Sequence, residues 1–543
     1  MKNFLVPLII VMFLSQGALA QLSNVNGPTV TTKNGTLEGR YESGIEVFRG
    51  VPYAAPPTGN FRWREPQPVK NWTGVRKAEK FGPRAMQLPV FGDMNFRSNG
   101  MSEDCLYLNV WTPAKTANAK LPVLVYFYGG GFIAGDGSEP RYDGEAMARR
   151  GIVAITVNYR LGVFGFFSYP ELTKESPHHA SGNYGLLDQA AAIKWVKENV
   201  ASFGGDPNKI TIGGESAGSF SVSAQMASPL SKNLISGAIG ESGSLLGLTP
   251  TATLKEAENA GVKFAKGIDK NSLEALRSMS AEDLLNATSK LGYGSFPVDI
   301  DGYFFPESPL KIFQEGKQAH VPLLVGWNSA EMNYRMLLRA EAPTVDNFTN
   351  AVKKIYGDKA DDALKVYHAS NDEEVIPVAT SLASDLFIAY STWKWSDEAS
   401  KTGDKPVFRY FFGRPRPEMR PEMGNSQAGL AGGIIKDTSA KKTPPPPPAA
   451  GAVHSAEIEY ALGNLPTNRV YDWQPDDYEV STIMQMFFAN FIKTGNPNGL
   501  GVPHWPAVDN KKGVEVMHIN VETKAEAETH HDRYLFMNQQ AKE

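Results

Sequence analysis

The chain has 543 residues and is 42% hydrophobic, enough to bury a large core, and its net charge of -4 with both signs scattered leaves no basic face for a phosphate backbone. No Lys/Arg run is interleaved with aromatic residues, so nucleic acid is not an expected partner. A single cysteine, Cys105, excludes any internal disulfide, and stability has to come from packing.

The N-terminus carries Lys2, an apolar stretch from Phe4 to Leu14, then Ala18-Leu19-Ala20 before Gln21. This is the layout of a cleavable signal peptide over residues 1–20, with cleavage between Ala20 and Gln21. The apolar stretch is too short to span a bilayer, so the expectation is a secreted or periplasmic protein without membrane insertion. The remainder, 21–543, is read as one large α/β domain.

From Thr29 to Pro66, short β-branched runs alternate with turn residues and suggest an antiparallel edge. Next, Glu103-Asp104-Cys105-Leu106-Tyr107-Leu108-Asn109 places an acidic pair before alternating apolar positions. Carboxylates beside strands usually pair with arginine, and Arg62 is the expected partner of Glu103. Cys105 reads as a buried small apolar residue rather than a reactive thiol.

Leu121 to Tyr128 is a continuous apolar run, as expected of a strand covered on both faces, and it empties into Gly129-Gly130-Gly131-Phe132. Three glycines free the backbone to turn its amides toward a ligand. A second buried strand spans Ile152 to Asn158, and Asn183 to Val200 has helical periodicity. The run Ile210-Thr211-Ile212 then enters Gly213-Gly214-Glu215-Ser216-Ala217-Gly218, a G-x-S-x-G pattern between a strand and a small-residue helix. Such a turn lifts the serine hydroxyl into the open and needs Gly214 and Gly218 where a Cβ would clash. The helix starting there aims unpaired N–H groups and its dipole at the same spot, suiting a developing oxyanion. The motif alone is weak in a chain with 51 glycines: Gly240-Glu241-Ser242-Gly243 looks similar but lacks the second glycine. The alternation of strands and helices argues for a mostly parallel sheet with helices on both faces.

Together, the Glu103–Asn109 segment, Tyr128-Gly129-Gly130-Gly131-Phe132 and Gly214-Glu215-Ser216-Ala217-Gly218 resemble the type-B carboxylesterase family, which includes cholinesterase-like serine hydrolases. The similarity runs from about Val30 to about Phe536. It implies an α/β-hydrolase fold, mostly parallel with an N-terminal antiparallel edge, and hydrolysis of carboxylic esters by a Ser/Glu/His triad. The oxyanion donors would be the amides of Gly130, Gly131 and Ala217. Relatives often have histidine where Tyr128 stands, and commonly bridge the cysteine matching Cys105 to one in the 83–85 region, where Ala85 stands instead.

In this fold class the chain order is Ser, acid, His, so both partners lie downstream of Ser216. Val321 to Gly326 reads as a core strand, and the following loop carries Glu331, which matches the family's acid; Asp301, before that strand, is the competitor. Of the nine histidines, only His454 both follows a strand, Val407 to Phe412, and lies in a segment similar to the family's histidine motif. His454 is therefore the expected base, with Ser216 as nucleophile and Glu331 as acid. No HExxH or spaced Cys/His set appears, so no metal or cofactor is expected.

Residues 413–450 are Pro/Gly-rich, with Pro444 to Pro448 as a stiff piece, and read as a surface insertion: a passive excursion or, because it joins the His454 loop, a lid. The loop before Cys105 offers Phe81, Phe91 and Phe96 but no Trp, which disfavours choline esters. The expected substrate is a small-molecule ester. An aromatic-acid (feruloyl-type) or long-chain (lipase-like) specificity and a non-catalytic adhesion module of the same fold stand as alternatives, and oligomeric state is open.

Overall fold

The computed structural model describes residues 27–292, 294–436 and 451–541. The expected signal peptide and the polyproline piece lie outside them. The strands of an eleven-stranded sheet are, in chain order, β1 (Arg40–Glu42), β2 (Ile45–Pro52), β3 (Tyr107–Thr112), β4 (Leu121–Phe127), β5 (Val153–Val157), β6 (Gly205–Glu215), β7 (Gly237–Glu241), β8 (Leu323–Asn328), β9 (Val407–Phe412), β10 (Glu515–Ile519) and β11 (Lys524–Ala527). Their spatial order is β11-β10-β9-β8-β7-β6-β4-β5-β3-β2-β1.

The middle of the sheet, from β5 to β10, is parallel. The antiparallel pairs stand at its two ends, β1–β2–β3–β5 on one side and β10–β11 on the other. Every residue of β5, β7 and β8 is buried. Successive side chains of a strand point to opposite faces, so helices must cover both sides. Among them are α1 (Tyr184–Asn199), α2 (Ala217–Ala227) and α3 (Pro475–Thr494). The expected N-terminal meander is split: Thr29–Thr32, Gly35–Glu38 and Val75–Lys77 form a separate three-stranded sheet, and only β1 and β2 join the large one.

One feature of the strand order fixes where a ligand can sit. From β4 the chain moves outward to β5, then returns to the other side of β4 with β6. The carboxyl ends of β4 and β6 are therefore neighbours, in register at Phe127 and Gly214, and the connections leaving them part to opposite sides. A crevice opens at such a reversal in an α/β sheet. The triple glycine leaves β4 there, and Ser216 leaves β6.

Arg62 pairs with Glu103 as expected, both guanidinium–carboxylate contacts being 2.6 Å, and its Nη1 donates to Met279 O at 2.8 Å. Cys105 is buried and free, and burial pushes its thiol pKa well up. Phe81 and Phe96 are occupied by arginines: Arg49 and Arg97 each lie 4.8 Å from the Phe81 ring centre, and Arg84 lies 4.9 Å from Phe96.

Candidate active site

Ser216 stands between β6 and α2 with φ 55° and ψ -122°, a conformation that a non-glycine residue holds only when its surroundings impose it. The surroundings are glycines. A Cβ on Gly218 would stand 2.0 Å from Phe127 O, and one on Gly214 would stand 2.6 Å from the Gly218 backbone. Gly129 closes the turn from the other side, since its Cβ would come 2.6 Å from Glu215 Oε2 and 3.1 Å from Ser216 Cβ. The sequence motif thus encodes contact between the end of β4, the turn and the first turn of α2.

Glu331 follows β8 and His454 follows the insertion after β9, two adjacent parallel strands. His454 Nδ1 lies 2.7 Å from Glu331 Oε2. The other oxygen, Oε1, accepts from Asn328 N at 2.7 Å and from Ser242 Oγ at 2.5 Å. Both oxygens are engaged, so the carboxylate is fixed. Asp301 is elsewhere: its Oδ1 accepts from the amides of Tyr303 and Phe305, making it a turn aspartate.

Ser216, His454, Gly130, Gly131 and Ala217 line one cavity of about 460 Å³, with Phe91, Met94, Phe132, Phe220, Met332, Phe387 and Ile388. Gly130 and Gly131 have φ 115° and 63°, and a Cβ on Gly130 would meet Ala134 O at 2.2 Å. The lining is mostly apolar; besides Ser216 and His454 it carries Glu215, Ser455 and Arg141, and the Arg141 cation is paired with buried Glu139 at 3.2 Å. Phe387 sets its edge against the His454 ring, 5.0 Å between centres, from a π-helical turn, Asp385–Ala389. The strain of a π turn recurs where helices serve sites.

A second carboxylate meets His454. Glu215 Oε1 is 3.2 Å from Nε2 but outside hydrogen-bond geometry, so it contributes charge without taking up that nitrogen. Burial alone would lower the His454 pKa, but the charge of Glu215 and the hydrogen bond and charge of Glu331 outweigh it and raise it to about 9. Burial raises Glu215 in turn, against the charges of His454 and Arg141. Behind them Glu457, buried beside Asn328, is pushed up to about 8 by burial and by the neighbouring Glu215 and Glu331. Sequence reasoning missed Glu215 and Ser242 as site residues. The available signal was a polar residue at the carboxyl end of a buried run: Glu215 closes β6, and Ser242 directly follows β7.

The other downstream histidines are not in this cavity. His368 makes a 3.1 Å contact with Ser370, and His504 is exposed. His530 and His531 open a helix, His531–Gln540, that buries Tyr534, Phe536 and Met537. Among the described residues no group of three or more His, Cys, Asp or Glu side chains is placed to hold a metal ion.

Residues 26–537 match the Carboxylesterase family. The chain is 33% identical over 509 residues to the fumonisin B1 esterase of Sphingopyxis macrogoltabida, covering 88% of this chain and 84% of that protein. It is 32% identical to the para-nitrobenzyl esterase of Bacillus subtilis, covering 88% and 92%. Among solved structures, a carboxylesterase of Geobacillus stearothermophilus superposes with a TM-score of 0.76 at 28% identity, covering 95% of this chain and all of that one (100%). A PNB esterase gives 0.75 at 30% identity, covering 95% and 99%.

Proposed function

Since this chain belongs to the carboxylesterase family, has the α/β-hydrolase fold and is a carboxylic ester hydrolase, we propose that it is an exported serine esterase working through Ser216, His454 and Glu331. Ser216 Oγ attacks the ester carbonyl while His454 Nε2 takes its proton. Glu331 holds Nδ1 and stabilises the imidazolium. The oxyanion faces the amides of Gly130, Gly131 and Ala217. As the tetrahedral intermediate collapses, His454 returns the proton to the alcohol oxygen, leaving an acyl-Ser216 ester; water then enters by the same steps in reverse roles.

The observation that carries this reading is the buried Glu331–His454 contact of 2.7 Å, which lies behind a cavity lined by both His454 and a strained serine. The apolar lining supports esters with apolar substituents, and the pairing of Arg141 with Glu139 leaves it little charge to offer an acidic substrate. A fluorescent organophosphonate tests the reading: it is expected to label the protein covalently at Ser216, and Ser216→Ala is expected to abolish both labelling and ester turnover. Labelling elsewhere, or turnover retained by Ser216→Ala, would overturn it. Export rests on the pattern of residues 1–20; protein recovered outside the cytoplasm is expected to begin at Gln21, as mass spectrometry of its N-terminal peptide would read.

A further inference from the structure

The insertion after β9 is not a passive excursion over its described part. Gln427–Ala428 and Ile434–Ile435 pair as an antiparallel hairpin. Its turn closes on Asp93: a Cβ on Gly429 would stand 2.1 Å from Asp93 Cγ, and one on Gly433 1.9 Å from Asp93 O. Asp93 lies between Phe91 and Met94, which line the active-site cavity, and the hairpin adds Leu430 and Ala431 to the same wall.

The hairpin is also fastened to the residue after His454. The carbonyl of Leu430 accepts from Ser455 Oγ, and from Arg416 Nη1 at 3.2 Å. Arg416 Nη2 donates to Ser455 O at 2.9 Å and pairs with buried Glu459 at 3.2 Å. On the far side, Asn468 Nδ2 donates to Gly432 O at 2.9 Å. These bonds hold the Leu430 backbone at the cavity mouth, and its side chain, 43% exposed, stands there on the side of His454.

The chemistry distinguishes the two halves of a bound ester. The acyl carbon bonds to Ser216, whereas the alcohol oxygen must come within hydrogen-bond reach of His454 Nε2 to be protonated as it leaves. A wall anchored beside His454 faces the alcohol half. We infer that Leu430 is a specificity-determining residue for the alcohol part of the ester, limiting its bulk while leaving acyl preference to other walls. This rests on the roles proposed above for Ser216 and His454.

Two ester series measured as kcat/KM test it: acetates of methyl, butyl and benzyl alcohol, and ethyl esters of acetic, butyric and octanoic acid. Leu430→Trp is expected to lower benzyl acetate relative to methyl acetate by roughly 10-fold, and Leu430→Ala to shift the ratio the other way, while spacing within the acyl series stays within about 2-fold. Decay of the acetyl-enzyme, from which the alcohol has already gone, is expected to match that of the unaltered protein. An acyl series that moves as much as the alcohol series, a changed acetyl-enzyme decay, or an alcohol series that does not move in either variant would each overturn the inference. Ser216→Ala run alongside separates the failures: turnover retained there overturns the triad reading, whereas turnover lost there with a flat alcohol series overturns only the role of Leu430.

Discussion

Ser242 donates its hydroxyl to Glu331 Oε1 at 2.5 Å, on the oxygen opposite the one that faces His454 Nδ1. Ser242 is itself held at φ 58°, so backbone strain at the end of β7 is used to aim this hydroxyl. If Glu331 orients His454, losing that anchor loosens the carboxylate without removing it. Ser242→Ala is expected to lower kcat roughly 10- to 100-fold with KM little changed, by analogy with the loss of outer partners that orient a reacting group. An unaltered kcat would show that Asn328 N alone suffices to hold the carboxylate.

The pH dependence follows from Glu215. If His454 is the general base it must be neutral to accept a proton, and its pKa is raised to about 9, so kcat/KM is expected to climb from pH 7 until above pH 9. Glu215 supplies the leading upward contribution, and Glu215→Gln is expected to move the ascending limb to lower pH. A limb that stays in place would mean that Glu331 alone sets the basicity of the imidazole. The profile is read from initial rates on an uncharged ester in buffers of constant ionic strength.

Arg62→Met separates folding from chemistry. The Arg62–Glu103 pair is nearly buried, 5% and 11% exposed, so removing one partner strands the other charge. A loss of about 3 kcal/mol of stability is expected in urea unfolding. Activity per folded molecule, counted by organophosphonate titration, is expected to survive; selective loss of turnover would relocate Arg62 to the chemical site.

Gly218→Ala tests the elbow. The added methyl would stand 2.0 Å from Phe127 O, a backbone atom with no room to yield. The strand, turn and helix must separate, which moves Ser216 relative to Glu331 and His454, and ester turnover is expected to fall at least roughly 100-fold. Near-normal turnover would show that β4 and α2 can part without disturbing the serine.

Asp385, at the start of the π turn, couples stability to pH. Burial raises its carboxyl to about 7, against the Tyr367 hydroxyl at 2.8 Å and the charge of Arg533. Unfolded, it ionises above its ordinary value of 3.8, so its ionisation costs folding stability progressively from about pH 4 to about pH 7. Asp385→Asn is expected to relieve that cost. The variant's unfolding free energy should exceed the parent's by up to roughly 4 kcal/mol at pH 8, with the gap closing by pH 4. A gap independent of pH would assign the effect to packing.

What the sequence revealed, it revealed where chemistry depends on local backbone. Gly214 and Gly218 were readable because a strand-to-helix turn around Ser216 tolerates no Cβ, and the contacts with Phe127 are of that kind. The order of elements led to the parallel sheet, and that order together with the family resemblance led to Glu331 and His454, which the structure places after adjacent strands. Ser242 was not readable: its motif resembles an elbow that lacks a glycine, and only the pairing of β7 with β8 brings it to Glu331. The hairpin at Leu430 escaped for a similar reason. Its Gly-rich composition is what a loop would have, yet those glycines serve to close on Asp93, a partner more than 300 residues away in the chain. The N-terminal strands were expected as one edge because nothing local says which of two sheets a short strand will join.

The solitary thiol of Cys105 has a practical corollary. With no partner to oxidise to and no access for oxidants, the polypeptide has no redox step on its way to the native state. No disulfide has to form in reducing or in oxidising surroundings, so folding calls on no disulfide isomerase, and dithiothreitol in the assay leaves the covalent framework as it was.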